Sequence, residues 1–234
     1  AFLAGPCLHR EPVETGSGCT VSRDGPIMPY QAHNPRLPIT LAIVVFAALV
    51  VSGIGPYDRA TWWLEVAPVL IVVPLLAATW SRFPLTPLVY WLIAIHALIL
   101  ILGGHYTYAR VPLGFWFQDW FDLARNHYDR LGHLAQGFVP AIVVREILLR
   151  LSPLKRGGWL FFLVTCVCLA VSAFYEFIEW WVALIVGSGA DEFLATQGDV
   201  WDTQWDMFLA FIGAILAQLL LGRVHDRQLA RLAD

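Results

Sequence analysis

Three polar stretches interrupt otherwise apolar helical runs: Asp129-Arg130-Leu131-Gly132-His133, Tyr175-Glu176-Phe177-Ile178-Glu179, and Asp199-Val200-Trp201-Asp202-Thr203-Gln204-Trp205-Asp206. Asp129 and His133 are spaced i,i+4, and Glu176 and Glu179 i,i+3. Asp199, Asp202 and Asp206 follow i, i+3, i+7, so each set shares one helical face. A histidine among carboxylates can hold a divalent metal ion, relay protons, or act as general base on water. Charge at mid-helix in a bilayer costs roughly 2.5–3.5 kcal/mol per residue, so such residues mark a site. His133, Glu176 and Glu179 are the candidate catalytic groups. Asp129, His133, Glu176, Asp202 and Asp206 are the candidate metal ligands, with His105 and Asp199 supporting them from behind.

Two carboxylates about 4 Å apart repel by roughly 4 kcal/mol at an effective dielectric of 20. Six acids in one region therefore need a remedy. Some are protonated, some pair with Arg110, Arg125 or Arg130, or one divalent metal ion sits among them. The mix of His and carboxylate suits Zn, Mn or Fe better than Ca. No H-E-x-x-H signature is present, and all three remedies stay open at this level.

The elements that must position these residues are membrane helices. The chain is 58% hydrophobic and only 14% charged, where a soluble domain carries about 25% charged residues. Mean hydropathy is +0.63. A net charge of −3 excludes nucleic acid as a partner, and the 11 Trp suit aromatic belts at the two interfaces of a lipid bilayer. Apolar runs cover about Leu37–Ile54, Leu64–Trp80, Leu88–Tyr108, Leu131–Leu151, Trp159–Val186 and Thr203–Leu221, each close to the length that crosses ~30 Å of hydrocarbon. Pro68 and Pro74 are tolerated within the second, and His96, alone in the third, reads as a hydrogen-bonded core histidine. Between the third and fourth runs, Leu113, Trp116, Phe117, Trp120, Phe121 and Ala124 follow a helical period, with Gln118, Asp119, Asp122 and Arg125 opposite. That pattern fits an interfacial amphipathic helix and equally a packed loop helix.

The expected fold is thus all-α: a polytopic membrane helix bundle of about six transmembrane helices plus the interfacial helix. Residues 1–36 read as a disordered polar head, with Met28 as a candidate start. Residues 37–222 form the transmembrane domain, and 223–234 a short basic cytoplasmic tail after Gly222. Cys7 and Cys19 fall in the head. Cys166 and Cys168 fall in an apolar run, on different faces, and read as small buried apolar residues rather than a redox pair. Nine basic residues (Arg23, Arg36, Arg82, Arg150, Lys155, Arg156, Arg223, Arg227, Arg231) against four (Arg59, Arg110, Arg125, Arg130) put both termini in the cytoplasm. His105, Asp129, His133, Glu176, Glu179, Asp202 and Asp206 then share one depth near the outer face. The inner side shows no comparable set of His and carboxylates, though Glu146 can pair with Arg150 at i+4.

His105-Tyr106-Thr107-Tyr108, the run Asn126–His133, Tyr175–Trp180 and Gly198–Met207 resemble the YjdF-like family of bacterial inner-membrane proteins, over roughly residues 37–225. That resemblance implies location and topology rather than chemistry. Asp129-Arg130-x-x-His133, Glu176 and Asp206 are also similar to a pattern of VanZ-like membrane proteins, linked to glycopeptide resistance. The Gln that follows the Glu in that pattern, and the Arg before its final Asp, have no match here.

Three functions follow as expectations. One is a metal-dependent hydrolase with an outward-facing site, acting on a lipid-linked or amphipathic cell-envelope molecule. The second is a proton- or metal-ion-coupled transporter, against which polar groups are scarce in the inner half and no inverted repeat is visible. The third is a non-catalytic envelope protein that binds a partner through its outer face.

Overall fold

The computed structural model describes residues 35–187 and 191–233. Cys7, Cys19, Met28 and all but the last two residues of the expected head lie outside the described residues. Among the described residues there is no strand. The helices are α1 Arg36–Ser52, α2 Arg59–Thr79, α3 Pro87–Tyr106, α4 Pro112–Phe121, α5 Tyr128–Leu151, α6 Gly158–Val186, the single turn α7 Asp191–Leu194, and α8 Asp202–Ala233; a 3-10 turn, Tyr108–Arg110, precedes α4.

Local chemistry sets several of these boundaries. The Asp58 carboxylate accepts from the Thr61 amide at 2.7 Å and caps α2. Pro87 and Pro112 open α3 and α4, where the missing amide is not needed. Asp122, at φ 51°, caps α4 in the left-handed region, so the helix ends at Phe121, three residues before the expected Ala124. Among the described residues, four helices (α2, α3, α6 and α8) are long and apolar enough to cross a membrane. α1 is apolar but has 17 residues, and α5 has 24 residues but carries Asp129, Arg130, Arg145, Glu146 and Arg150.

The tightest crossing is α5 on α8. A Cβ on Gly137 would strike the Ala210 backbone, and one on Gly213 would strike the backbone at Leu134 and Phe138. Glycine at both positions lets the two helix backbones touch, as small residues do in membrane bundles. α6 packs on α8 and α5, and α3 joins α5 to both α1 and α2. α2 has no comparable contact with α5 or α6, and the space between them is a cavity.

The long helices alternate in direction. At the α4 end, His105 Nδ1 lies 2.8 Å from the Ser52 carbonyl, and Gln197 Nε2 donates to the Asn126 carbonyl at 2.7 Å. At the opposite end the α2–α3 turn, the end of α5 and the end of α8 meet. There Glu146 accepts from Thr86 Oγ1 at 2.7 Å, from Arg150 at 2.8 Å and from His225 Nε2 at 2.9 Å. Arg145 donates to His225 Nδ1 at 2.8 Å and to Asp226 at 2.7 Å, and Gln228 accepts from the Leu88 amide at 2.8 Å.

Two expectations are corrected here. α8 does not stop at Gly222 but runs on to Ala233, because His225, Asp226 and Gln228 bind α5 and α3 and hold the extra turns in place. The end opposite α4 does carry a His and carboxylate set. Its members are dispersed over α5 and the terminal turns of α8, and only folding joins them.

Candidate functional site

Helix phase carries Asp129 and His133 on α5, Glu176 and Glu179 on α6 and Asp206 on α8 into one region at the α4 end. His133 is its centre. Nε2 lies 3.4 Å from Asp129 Oδ1 and 3.8 Å from Asp206 Oδ2, while Nδ1 lies 4.0 Å from Glu176 Oε1. Asp129, His133, Glu176 and Asp206 are all buried. His133 Nδ1, Glu176 Oε1 and Asp206 Oδ1 are buried atoms with no hydrogen-bond partner. Unpaired buried polar atoms are rare and costly, so three around one imidazole point to something that the protein's own groups do not supply.

Two triads have ligand atoms within 4.8 Å of one another: Asp129, His133 and Asp206, and His133, Glu176 and Glu179. Zinc-type bonds of ~2.0–2.1 Å at tetrahedral angles set ligand atoms about 3.4 Å apart. The Nε2 distances of 3.4 and 3.8 Å to the two aspartates approach that spacing. Glu176 faces the ring's other nitrogen at 4.0 Å, beyond hydrogen-bond range, so the two form no hydrogen bond.

Not every candidate joins the centre. Asp199 and Asp202 form a rim with arginines. Arg125 lies 2.8 Å from Asp202 and 3.3 Å from Asp199, Arg130 lies 2.8 Å from Asp199, and Arg125 also donates to the Thr196 carbonyl. The Trp201 amide, then Arg125 and Arg130, hold the Asp199 carboxyl below its usual range. His105 is remote, bound to the end of α1. Arginine pairing therefore answers the repulsion only at the rim, and metal binding or protonation remains for the acids around His133.

Glu65 of α2 escaped the sequence reading. It is buried, Tyr175 Oη lies 3.5 Å from its Oε2, and Tyr108 is a second neighbour. The only available signal was a lone acid within the second apolar run. His96 differs from the expected satisfied histidine: its Nε2 is buried and unpartnered beside the cavity.

The cavity measures about 780 Å³. Glu65, Asp129, His133, Tyr175 and Glu179 line one end, and Thr79, Arg82, Phe83 and Leu151 the other. Between them the wall is largely apolar, with Val69, Val72, Val73 and Leu76 of α2 facing Val139 and Val143 of α5, and Gln136 and His96 its polar members. The space runs from the buried centre along the helices, because α2 leans on α3 and leaves α5 and α6 uncovered.

Residues 37–227 match the family described as "Predicted membrane protein (DUF2238)". The chain is 55% identical over 198 residues to the inner membrane protein YjdF of Escherichia coli (strain K12), covering 85% of this chain and 95% of that protein. No solved structure matches. The chain belongs to this family of membrane proteins and is a multi-pass protein of the inner membrane.

Proposed function

We propose that this inner-membrane family member is a six-span, metal-dependent hydrolase of a lipid-linked envelope molecule, with both termini cytoplasmic and the His133 centre in the outer half of the bilayer. The observation that carries the reading is the setting of His133, whose two ring nitrogens face different carboxylates while buried atoms around it lack partners. Asp129, His133 Nε2 and Asp206 would hold one divalent ion, with the Glu176 carboxylate facing the ring's other nitrogen at 4.0 Å. Such an ion, when bound, would lower the pKa of a water and polarise a carbonyl. Glu179, which lines the cavity, takes the proton from the attacking water and returns it to the leaving group.

Coupled transport fits less well. An ion released from the centre would meet a largely apolar stretch from Val69 to Leu76, where Gln136 and His96 are the polar groups of the wall and neither carries a carboxylate to replace its hydration. The buried charges around Glu146 do not line that cavity and are satisfied by one another.

Elemental analysis of protein purified without chelator tests the proposal. About one zinc-, manganese- or iron-class ion per chain is expected, lost in His133→Ala and Asp206→Asn while both variants stay folded. Glu179→Gln should retain the ion and lose turnover of a total membrane-lipid extract followed by mass spectrometry. A metal-free wild type that still binds lipid would favour the non-catalytic reading instead.

A further inference from the structure

We infer that the cavity holds the single hydrocarbon chain of an uncharged, hydroxyl-bearing lipid, which enters sideways between α2 and the α5–α6 face and sets its head against Glu65 and Glu179. The inference rests on the reading above in taking the His133 centre as the site of chemistry, and it adds the class of substrate and its path.

Length and volume identify the occupant. From Glu65 to Thr79 the cavity follows 14 residues of α2, about 21 Å at 1.5 Å per residue. That exceeds one leaflet, half of ~30 Å of hydrocarbon. The cavity, about 780 Å³ along that length, is elongated, which suits a chain better than a compact molecule. An extended hydrocarbon chain is thin enough, and the largely apolar middle, with only His96 and Gln136 as polar members, offers it what it needs.

The entrance follows from packing. α2 is not closed onto α5 or α6, and Leu75 on one lip and Ile147 and Val171 on the other are exposed, facing the surrounding bilayer. A lipid can therefore enter without leaving the membrane.

Charge selects the head. Glu65, Asp129 and Glu179 line the polar end, while Arg82 lines the far end. An anionic phosphate would meet carboxylates there, whereas hydroxyls donate to them and to the Tyr175 oxygen, whose own O–H points to Glu65. His133 Nδ1, unpartnered in a side chain more than nine-tenths buried on the same wall, is a further polar contact left open for the head.

The test uses a monoacylglycerol with a photoreactive diazirine near the chain end, added to the full-length protein in nanodiscs. Crosslinks should concentrate on peptides bearing Val72, Val143 or Ile147. Val72→Trp and, as a second block, Val143→Phe should reduce them about tenfold, while Leu70→Trp, on a residue outside the cavity wall, should not. A lysophosphatidic acid with the same chain should label far less. Crosslinks spread evenly over the lipid-facing surface would overturn the inference, and so would equal labelling by the two heads. Metal content, read on the same samples, separates the two claims: labelling confined to the cavity in a metal-free protein sinks the hydrolase and leaves the lipid site. A metal-loaded protein without such labelling does the reverse.

Discussion

His225 Nε2 lies 2.9 Å from Glu146 Oε2, and neither side chain reaches solvent. Arg145 donates to the other ring nitrogen, so the imidazole links a carboxylate on α5 to a guanidinium on the same helix from its place on α8. Removing one member strands buried charge. His225→Ala is expected to cost about 3–5 kcal/mol in reversible unfolding from mixed micelles. Glu146→Gln, which keeps an acceptor for Thr86, should cost less. A His225→Ala loss below about 1 kcal/mol would show that the network does not hold the terminal turns.

This network also shows what was legible in the sequence. The Glu146–Arg150 pair is local and could be read at i+4. His225 could not, because Gly222 followed by spaced arginines has the pattern of a helix end and a solvated tail. Tertiary contacts override that signal. The three polar stretches around Asp129, Glu176 and Asp206 were readable for the opposite reason, since their charges are out of place in apolar helices. Glu65 carries the same oddity alone, with no periodic partner to draw attention to it. The arginine rim that takes up Asp199 and Asp202 depends on how the α4–α5 and α7–α8 segments cross, which no spacing encodes.

The α5–α8 crossing gives a second test. Gly137→Ala forces a methyl into the Ala210 backbone and should destabilise by about 1–3 kcal/mol. Gly222 has nothing within 4 Å of an added Cβ and lies within α8. Gly222→Ala should therefore be neutral or stabilise by up to about 1 kcal/mol. Comparable melting shifts for the two variants would contradict the crossing.

The Asp58 cap sets a pH signature. The Thr61 amide bond holds its carboxyl below the ordinary value of 3.8. A depressed folded value means that the stabilisation is complete above the unfolded value and is lost as pH falls through the folded one. Asp58→Ala should cost about 1 kcal/mol at neutral pH, with the gap to wild type closing below pH 3.8. Asp58→Asn keeps a neutral acceptor and should show no such closing. Thermal melts in buffered detergent measure all three.

α4 presents Trp116, Trp120 and Phe121 outward, and Gly114 packs against Asn126. If it lies in the plane of the interface, spin labels at Trp116 and Trp120 will be relaxed by oxygen from the lipid phase, and one at Asp119 by a water-soluble nickel chelate. Equal access of the chelate to all three would make α4 an ordinary surface helix.

Orientation decides which side of the membrane the His133 centre serves. The bundle gathers Arg82, Arg150, Lys155, Arg156 and Arg223 at or near one end, and Arg59, Arg110, Arg125 and Arg130 at the other. Basic residues in short loops stay on the cytoplasmic side, so the end with Lys155 is expected inside and the α4 end outside. Lys155 and Val200 are exposed at opposite ends and make suitable probes. In a background with Cys7, Cys19, Cys166 and Cys168 replaced by serine or alanine, an impermeant maleimide on spheroplasts should label Val200→Cys. Lys155→Cys should react only after lysis. The inverse result would turn the His133 centre toward the cytoplasm and exclude an envelope substrate, and labelling of both in intact spheroplasts would break the alternation of helices on which the six-span reading depends.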